Sequence, residues 1–170
     1  MSQSETPEEL ARKAAHQAYV AAIRLLAKRD HSTAELTRKL QQREHDEQAI
    51  EEALADLVSA NYLNDARYAE LYAEQRMNHG YGPLSIRSKL AERGIDSHLV
   101  QRALRSLQVD WSEQAEMAIA RRFSPQDIAD TDQQAVSRIA RFLQRRGYSS
   151  SDALQGLRKL RKEQARSSAG

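Results

Sequence analysis

Arg138, Arg141 and Arg145 fall at i, i+3 and i+7, a spacing that puts three guanidinium groups on one face of a helix. A guanidinium is a planar fork that bonds carboxylate or phosphate oxygens in pairs, so this stripe suits a polyanion or an acidic protein surface. Arg146 extends the run. Arg158, Lys162 and Arg166 recur at i, i+4 and i+8 near the end of the chain, with Lys159 beside them. Arg102 and Arg105 project opposite an apolar Val100/Leu104 stripe. Arg87, Lys89 and Arg93 do not share one face; they flank the apolar pair Ile86 and Leu90, where snorkelling at a packing edge accounts for them as readily as binding does. Negative charge is gathered earlier. Glu44 to Asp65 holds seven acidic residues and no Lys or Arg, with Glu47, Glu51 and Glu52 as a candidate acidic contact face. Arg138 to Arg166 holds nine basic and two acidic residues, so a net charge of +2 conceals a dipolar molecule.

Catalytic chemistry finds no comparable constellation. The five histidines (His16, His31, His45, His79, His98) form no i, i+4 pair and have no carboxylate cluster around them. His31 and His79 sit at interhelix turns, where a polar contact to backbone is the ordinary role. Gly80-Tyr81-Gly82-Pro83 has proline where a phosphate cradle needs a free N–H. With no cysteine, disulfides and thiolate metal sites are excluded. The expectation is a binding protein, not an enzyme, with no cofactor and no metal. No apolar run approaches the roughly 18–20 residues that span a bilayer, and Met1 to Leu10 is polar and lacks a signal-peptide core. A cytoplasmic protein without membrane contact follows as the expectation.

The elements that must carry these charges are helical. Aromatic residues make up only 5% of 170 residues, with three prolines, six glycines and no convincing β alternation. Thr6-Pro7-Glu8-Glu9 reads as a capping box with proline at the first helical position, opening a helix that ends near Asp30. Ser32-Thr33-Ala34-Glu35 opens a second helix with Leu36 and Leu40 inward, and Asp46 a third with Ile50, Ala53, Leu54 and Leu57. Asn64-Asp65, Gly82-Pro83 and Asp96 open three more. Asp110-Trp111-Ser112-Glu113 starts a further unit, in which Ser124-Pro125 and the polar run to Asp132 mark a turn or short helical detour. Trp111, Tyr68, Tyr72 and Phe142 read as core residues or wedges between units, and Tyr62, Tyr81 and Tyr148 as packing residues at turns. Residues 1–5 and 167–170 read as disordered or frayed.

These elements repeat. Ile86, Leu90, Val100 and Leu107 each lie fifty positions after Leu36, Leu40, Ile50 and Leu57, and Asp96 the same distance after Asp46. Ile139, Leu143, Gly147 and Leu157 lie fifty-three after Ile86, Leu90, Gly94 and Leu104. A period near fifty predicts an all-α, elongated array of three tandem three-helix repeats. The units are an N-terminal extension, partly helical, at 1–16, then repeats at 17–64, 65–109 and 110–166. Equivalent outer faces have opposite signs, since Arg102 stands fifty positions after Glu52.

Ile23-Arg24-Leu25-Leu26-Ala27-Lys28-Arg29-Asp30-His31-Ser32, followed by Glu35-Leu36 and Lys39-Leu40, resembles the opening motif of the bacterial regulatory protein RecX family. Tyr62-Leu63-Asn64-Asp65-Ala66-Arg67-Tyr68 is similar to a second family segment. Gly80-Tyr81-Gly82-Pro83 with Ile86-Arg87, Leu90 and Arg93-Gly94-Ile95 resembles the central motif, and Asp110-Trp111 with Arg141-Phe142-Leu143 and Arg146-Gly147-Tyr148 the third repeat. The match runs in order from about residue 19 to 160. It departs at Asn61, where the family usually has glycine, and at Glu44-His45, which replace Gly-Ile. The resemblance implies a modulator of the RecA recombinase: an elongated molecule lying along the groove of the RecA–DNA filament and inhibiting its recombinase, ATPase and co-protease activities, so restraining recombinational repair and the SOS response. Its implied partners are the RecA filament and, weakly by itself, single- or double-stranded DNA, engaged by a monomer. On this reading the basic third unit touches DNA or acidic RecA surface, and the acidic first unit faces a basic part of the filament. The competing readings are a helical regulator acting on DNA directly and a scaffold with no nucleic-acid contact.

Overall fold

The structure, a computed structural model, describes residues 6–167; the expectations for 1–5 and 168–170 lie outside them. Ten α-helices and no strand occur among the described residues. The first unit is α1 (Pro7–Leu26), α2 (Thr33–Gln41) and α3 (Glu47–Ser59); the second is α4 (Asp65–Asn78), α5 (Pro83–Glu92) and α6 (Ser97–Ser106). The third is α7 (Trp111–Arg122), α9 (Gln133–Arg146) and α10 (Ser150–Ser167), with the detour realised as the one-turn α8 (Pro125–Ala129). In each unit the first and last helices pair, α1 with α3, α4 with α6 and α7 with α10, and the middle helix closes over them.

Local chemistry sets the boundaries. Thr6 and Glu9 cap each other reciprocally at the start of α1, as do Ser32 and Glu35 at α2. Asp46, Asn64, Asp96 and Asp110 each accept a backbone N–H in the first turn of α3, α4, α6 and α7. Pro83 takes the first position of α5. Helix α1 stops at Leu26, short of Asp30, because the Lys28 N–H reverts to the Leu25 carbonyl and Lys28 to Asp30 are exposed with nothing apolar to bury. Ser167 still belongs to α10.

The turn after each middle helix is the same object three times. Glu44, Gly94 and Gly147 have φ of 63°, 73° and 85°. Each donates its N–H to the carbonyl three residues back, and the following residue donates to Leu40, Leu90 or Leu143. The first unit's Glu44-His45 therefore keeps the backbone of the other two turns, with a left-handed glutamate that costs about 1–2 kcal/mol. Asn61, at φ 58°, does the same after α3.

The core is one main cluster per unit, with a smaller alanine cluster of Ala18, Ala49 and Ala53 between α1 and α3. Leu36, Leu40, Ile50 and Leu57 centre the first, Ile86, Leu90 and Val100 the second, and Ile119, Ile139, Leu143 and Leu157 the third. Trp111 packs against both the second and the third, acting as the wedge between them. The accessible surface is 11135 Å², against about 8,500 Å² for a compact monomer of this mass. The array is elongated.

Neighbouring units join through their middle helices. The Gly82 and Leu84 N–H groups at the start of α5 donate to the Arg146 and Gly147 carbonyls at the end of α9, at 2.8 and 3.0 Å. One repeat earlier, Ser32 Oγ at the start of α2 donates to the Arg93 carbonyl at the end of α5, at 2.6 Å. The three middle helices thus run end to end in the order α9, α5, α2, the N-termini of α5 and α2 meeting the C-terminal carbonyls of the next unit's helix. Their dipoles align favourably.

Candidate functional site

The cations divide into those that hold the array together and those left facing solvent. Arg146 belongs to the first group. Its Nη1 donates to the His79 carbonyl at 2.9 Å, and its guanidinium lies 4.6 Å from the Tyr81 ring centroid, with Arg76 at 3.5 Å from the same centroid. Arg93 is its repeat counterpart, 4.6 Å from the Tyr72 ring and 3.9 Å from a Glu35 oxygen. Lys159 bonds Ser112 Oγ at 2.9 Å and Asp110 at 3.3 Å, tying α10 to the start of α7. Lys89 pairs with Glu92, Arg102 with Glu70 and Arg138 with Asp127. All three pairs are exposed, where an ion pair contributes about 0–1 kcal/mol and is readily exchanged for another partner.

Arg87, Arg105, Arg145, Arg158 and Lys162 are exposed and make no ion pair among the described residues. Arg141 bonds only a carbonyl of its own helix, Ser137, at 3.3 Å. The structure brings Arg138, Arg141 and Arg145 to one open cleft of about 620 Å³, which Asp130, Asp132 and Gln134 also line. The helical spacing of the arginines places them together; the two aspartates come from the turn before α9. Sequence reasoning missed them because they are remote from the stripe along the helix. In the first unit Glu47, Glu51 and Glu52 are exposed on α3, and Glu52 accepts from Gln48 at 3.2 Å.

The acidic groups at the joints are held ionised. Burial pulls the Glu35 carboxyl up, but the Ser32 N–H, Arg29 and Arg93 outweigh it and its pKa falls below the ordinary value. Tyr68 also donates its hydroxyl to Glu35, at 3.4 Å, and its own pKa is raised by burial and by that carboxylate. Asp110 is held at about 2 by the Ser112 hydroxyl and N–H, with Lys159 adding to them. His31 is buried with Nδ1 2.9 Å from the Arg29 carbonyl, and burial lowers its pKa; His79 contacts the Gln75 carbonyl. Both are backbone-bound turn residues. Tyr148 is buried and pushed up to about 12. Tyr62 departs from the packing role expected of it: it is 58% exposed, because the adjacent Leu63 takes the inward position in the first unit's core. No group of three or more potential metal ligands occurs among the described residues, and no helix there is long and apolar enough to cross a membrane.

Comparison with known proteins agrees with this architecture. Family models described as the first and second three-helix domains of RecX match residues 18–57 and 64–104. The Regulatory protein RecX of Stenotrophomonas maltophilia strain R551-3 is 40% identical over 130 residues, covering 75% of this chain and 77% of that protein. The Regulatory protein RecX of Pseudomonas entomophila is 42% identical over 131 residues, covering 75% and 81%. Among solved structures, RecX from Lactobacillus salivarius superposes with a TM-score of 0.77 at 25% identity, over 88% of this chain and 97% of that one. The motifs at the middle-helix turns, the three-helix units and these relatives coincide, and the chain belongs to the RecX family of regulatory proteins.

Proposed function

We propose that this protein regulates the RecA recombinase by binding the RecA–DNA filament and inhibiting its recombinase, ATPase and co-protease activities, and so modulates recombinational repair and the SOS response. Family membership supports the regulatory role. The observation that carries the filament as partner is the separation of charge along an elongated body. Free arginines and Lys162 lie on α9 and α10 of the third unit, and the exposed carboxylates Glu47, Glu51 and Glu52 on α3 of the first. Three units joined end to end can place several weak contacts on a repetitive partner at once, so that each added contact becomes intramolecular. The protein acts without catalysis of its own, as a cytoplasmic monomer, with repeat boundaries at 17–64, 65–109 and 110–166.

Arg141 and Arg145 are the cations to test first, since reversing them breaks no internal ion pair. The double variant Arg141→Glu/Arg145→Glu is expected to bind RecA–ssDNA filaments more weakly, with the helical circular-dichroism signal unchanged. Undiminished filament binding refutes the role of this stripe. A direct DNA regulator would instead bind naked DNA as tightly as the filament, with affinity falling steeply as salt rises.

A further inference from the structure

The repeat provides its own control for what each surface position needs in order to fold. Leu154 on α10 is 47% exposed, whereas the equivalent positions in the first and second units carry Glu51 and Gln101, both exposed. Ala140 on α9 likewise stands where those units have Thr37 and Arg87. The same helix pair thus folds twice with polar residues at these places, and only the third unit makes them apolar. Together with Val136, Leu143, Tyr148 and Leu157 they line a groove of about 230 Å³ between α9 and α10, with room for a large apolar side chain. Its surroundings are basic. Arg158 lies one turn beyond Leu154 and Lys162 one turn further, and neither makes an ion pair among the described residues.

We propose that this groove is a docking site for an acidic protein segment that inserts a leucine- or methionine-sized side chain against Leu154 and Ala140. Its flanking carboxylates meet Arg158 and Lys162. A nucleic acid would satisfy the cations but leave the apolar floor without a matching group; a protein segment satisfies both. Given the functional reading above, on which this rests, the segment belongs to the protein of the filament and not to its DNA.

The test uses the full chain with Leu154→Gln and Leu154→Gln/Ala140→Arg, which install the second unit's own residues and so keep a surface the fold already tolerates. Binding to RecA–ssDNA filaments and to naked ssDNA of the same length is measured by anisotropy, and a photo-crosslinking residue at position 154 is mapped by mass spectrometry. Burying one leucine is expected to be worth about tenfold in affinity. The variants should therefore bind the filament about tenfold more weakly, with DNA binding and melting temperature unchanged, and the crosslink should fall on an acidic stretch of RecA. If wild type binds the filament and both variants bind it equally well, or if position 154 crosslinks to DNA, the groove proposal is overturned while the functional reading stands. If wild type ignores the filament, that reading fails and the proposal falls with it.

Discussion

Replacing Gly147 by alanine tests whether the middle helices are locked end to end. The residue has φ 85°, and an added Cβ would lie 2.3 Å from the Ser85 nitrogen and 2.5 Å from its Cβ. Gly80 has a similar φ of 78°, yet its added Cβ would meet nothing closer than 3.8 Å. Gly80→Ala therefore reports backbone strain alone, about 1–2 kcal/mol. Gly147→Ala carries the same strain and must also push α5 away, losing the Gly82–Arg146 and Leu84–Gly147 hydrogen bonds at about 1 kcal/mol each. The excess is about 2 kcal/mol. At about 2–4 °C per kcal/mol for a chain of this size, that is about 4–8 °C in Tm beyond the Gly80 control. Thermal and urea unfolding by circular dichroism measures the difference, and hydrogen exchange at the Leu84 amide should accelerate only in the Gly147 variant. Equal losses for the two variants would refute an interlocked junction.

Arg146→Ala should lower thermal stability, because it frees the His79 carbonyl and uncovers the Tyr81 ring, whereas Arg145→Ala next to it should leave melting unchanged. Glu44→Gly should raise stability by up to about 1–2 kcal/mol by relieving the left-handed glutamate, read as a higher urea midpoint. Asp110 is held at about 2 against an ordinary 3.8, so the stability it contributes is complete above that ordinary value and is lost as pH falls towards 2. Asp110→Asn should accordingly flatten the acid limb of a plot of urea midpoint against pH over that window, and an unchanged limb would contradict the assignment.

Much of the fold was legible in the chain because each boundary depends on local chemistry. Thr6, Ser32, Asp46, Asn64, Asp96 and Asp110 cap helices wherever they stand, and the apolar spacing of Leu36, Leu40, Ile50 and Leu57 returns after fifty residues. What lay outside sequence reach was set by contacts between units. Arg93 and Arg146 read as surface cations until the structure placed each on a tyrosine at a junction. Lys159 read as part of a basic stripe, but Asp110, Ser112 and the start of α7 lie against it. Arg138, Arg141 and Arg145 share a cleft as their spacing required, while Asp130 and Asp132 enter it from a turn whose path no periodicity describes. Leu154 stands next to the buried Ala153 and three residues before the buried Leu157 on α10, yet it is exposed. Only its exposure, set beside Glu51 and Gln101, gives it a meaning.

On the proposed function, this chain restrains the RecA filament through surface contacts spread over a rigid array. Titrating the protein into RecA–ssDNA while following ATP hydrolysis tests it most directly. Hydrolysis should fall to a low plateau with increasing protein, and Arg141→Glu/Arg145→Glu should shift the titration to higher concentration. ATP hydrolysis unchanged at saturating protein would contradict it.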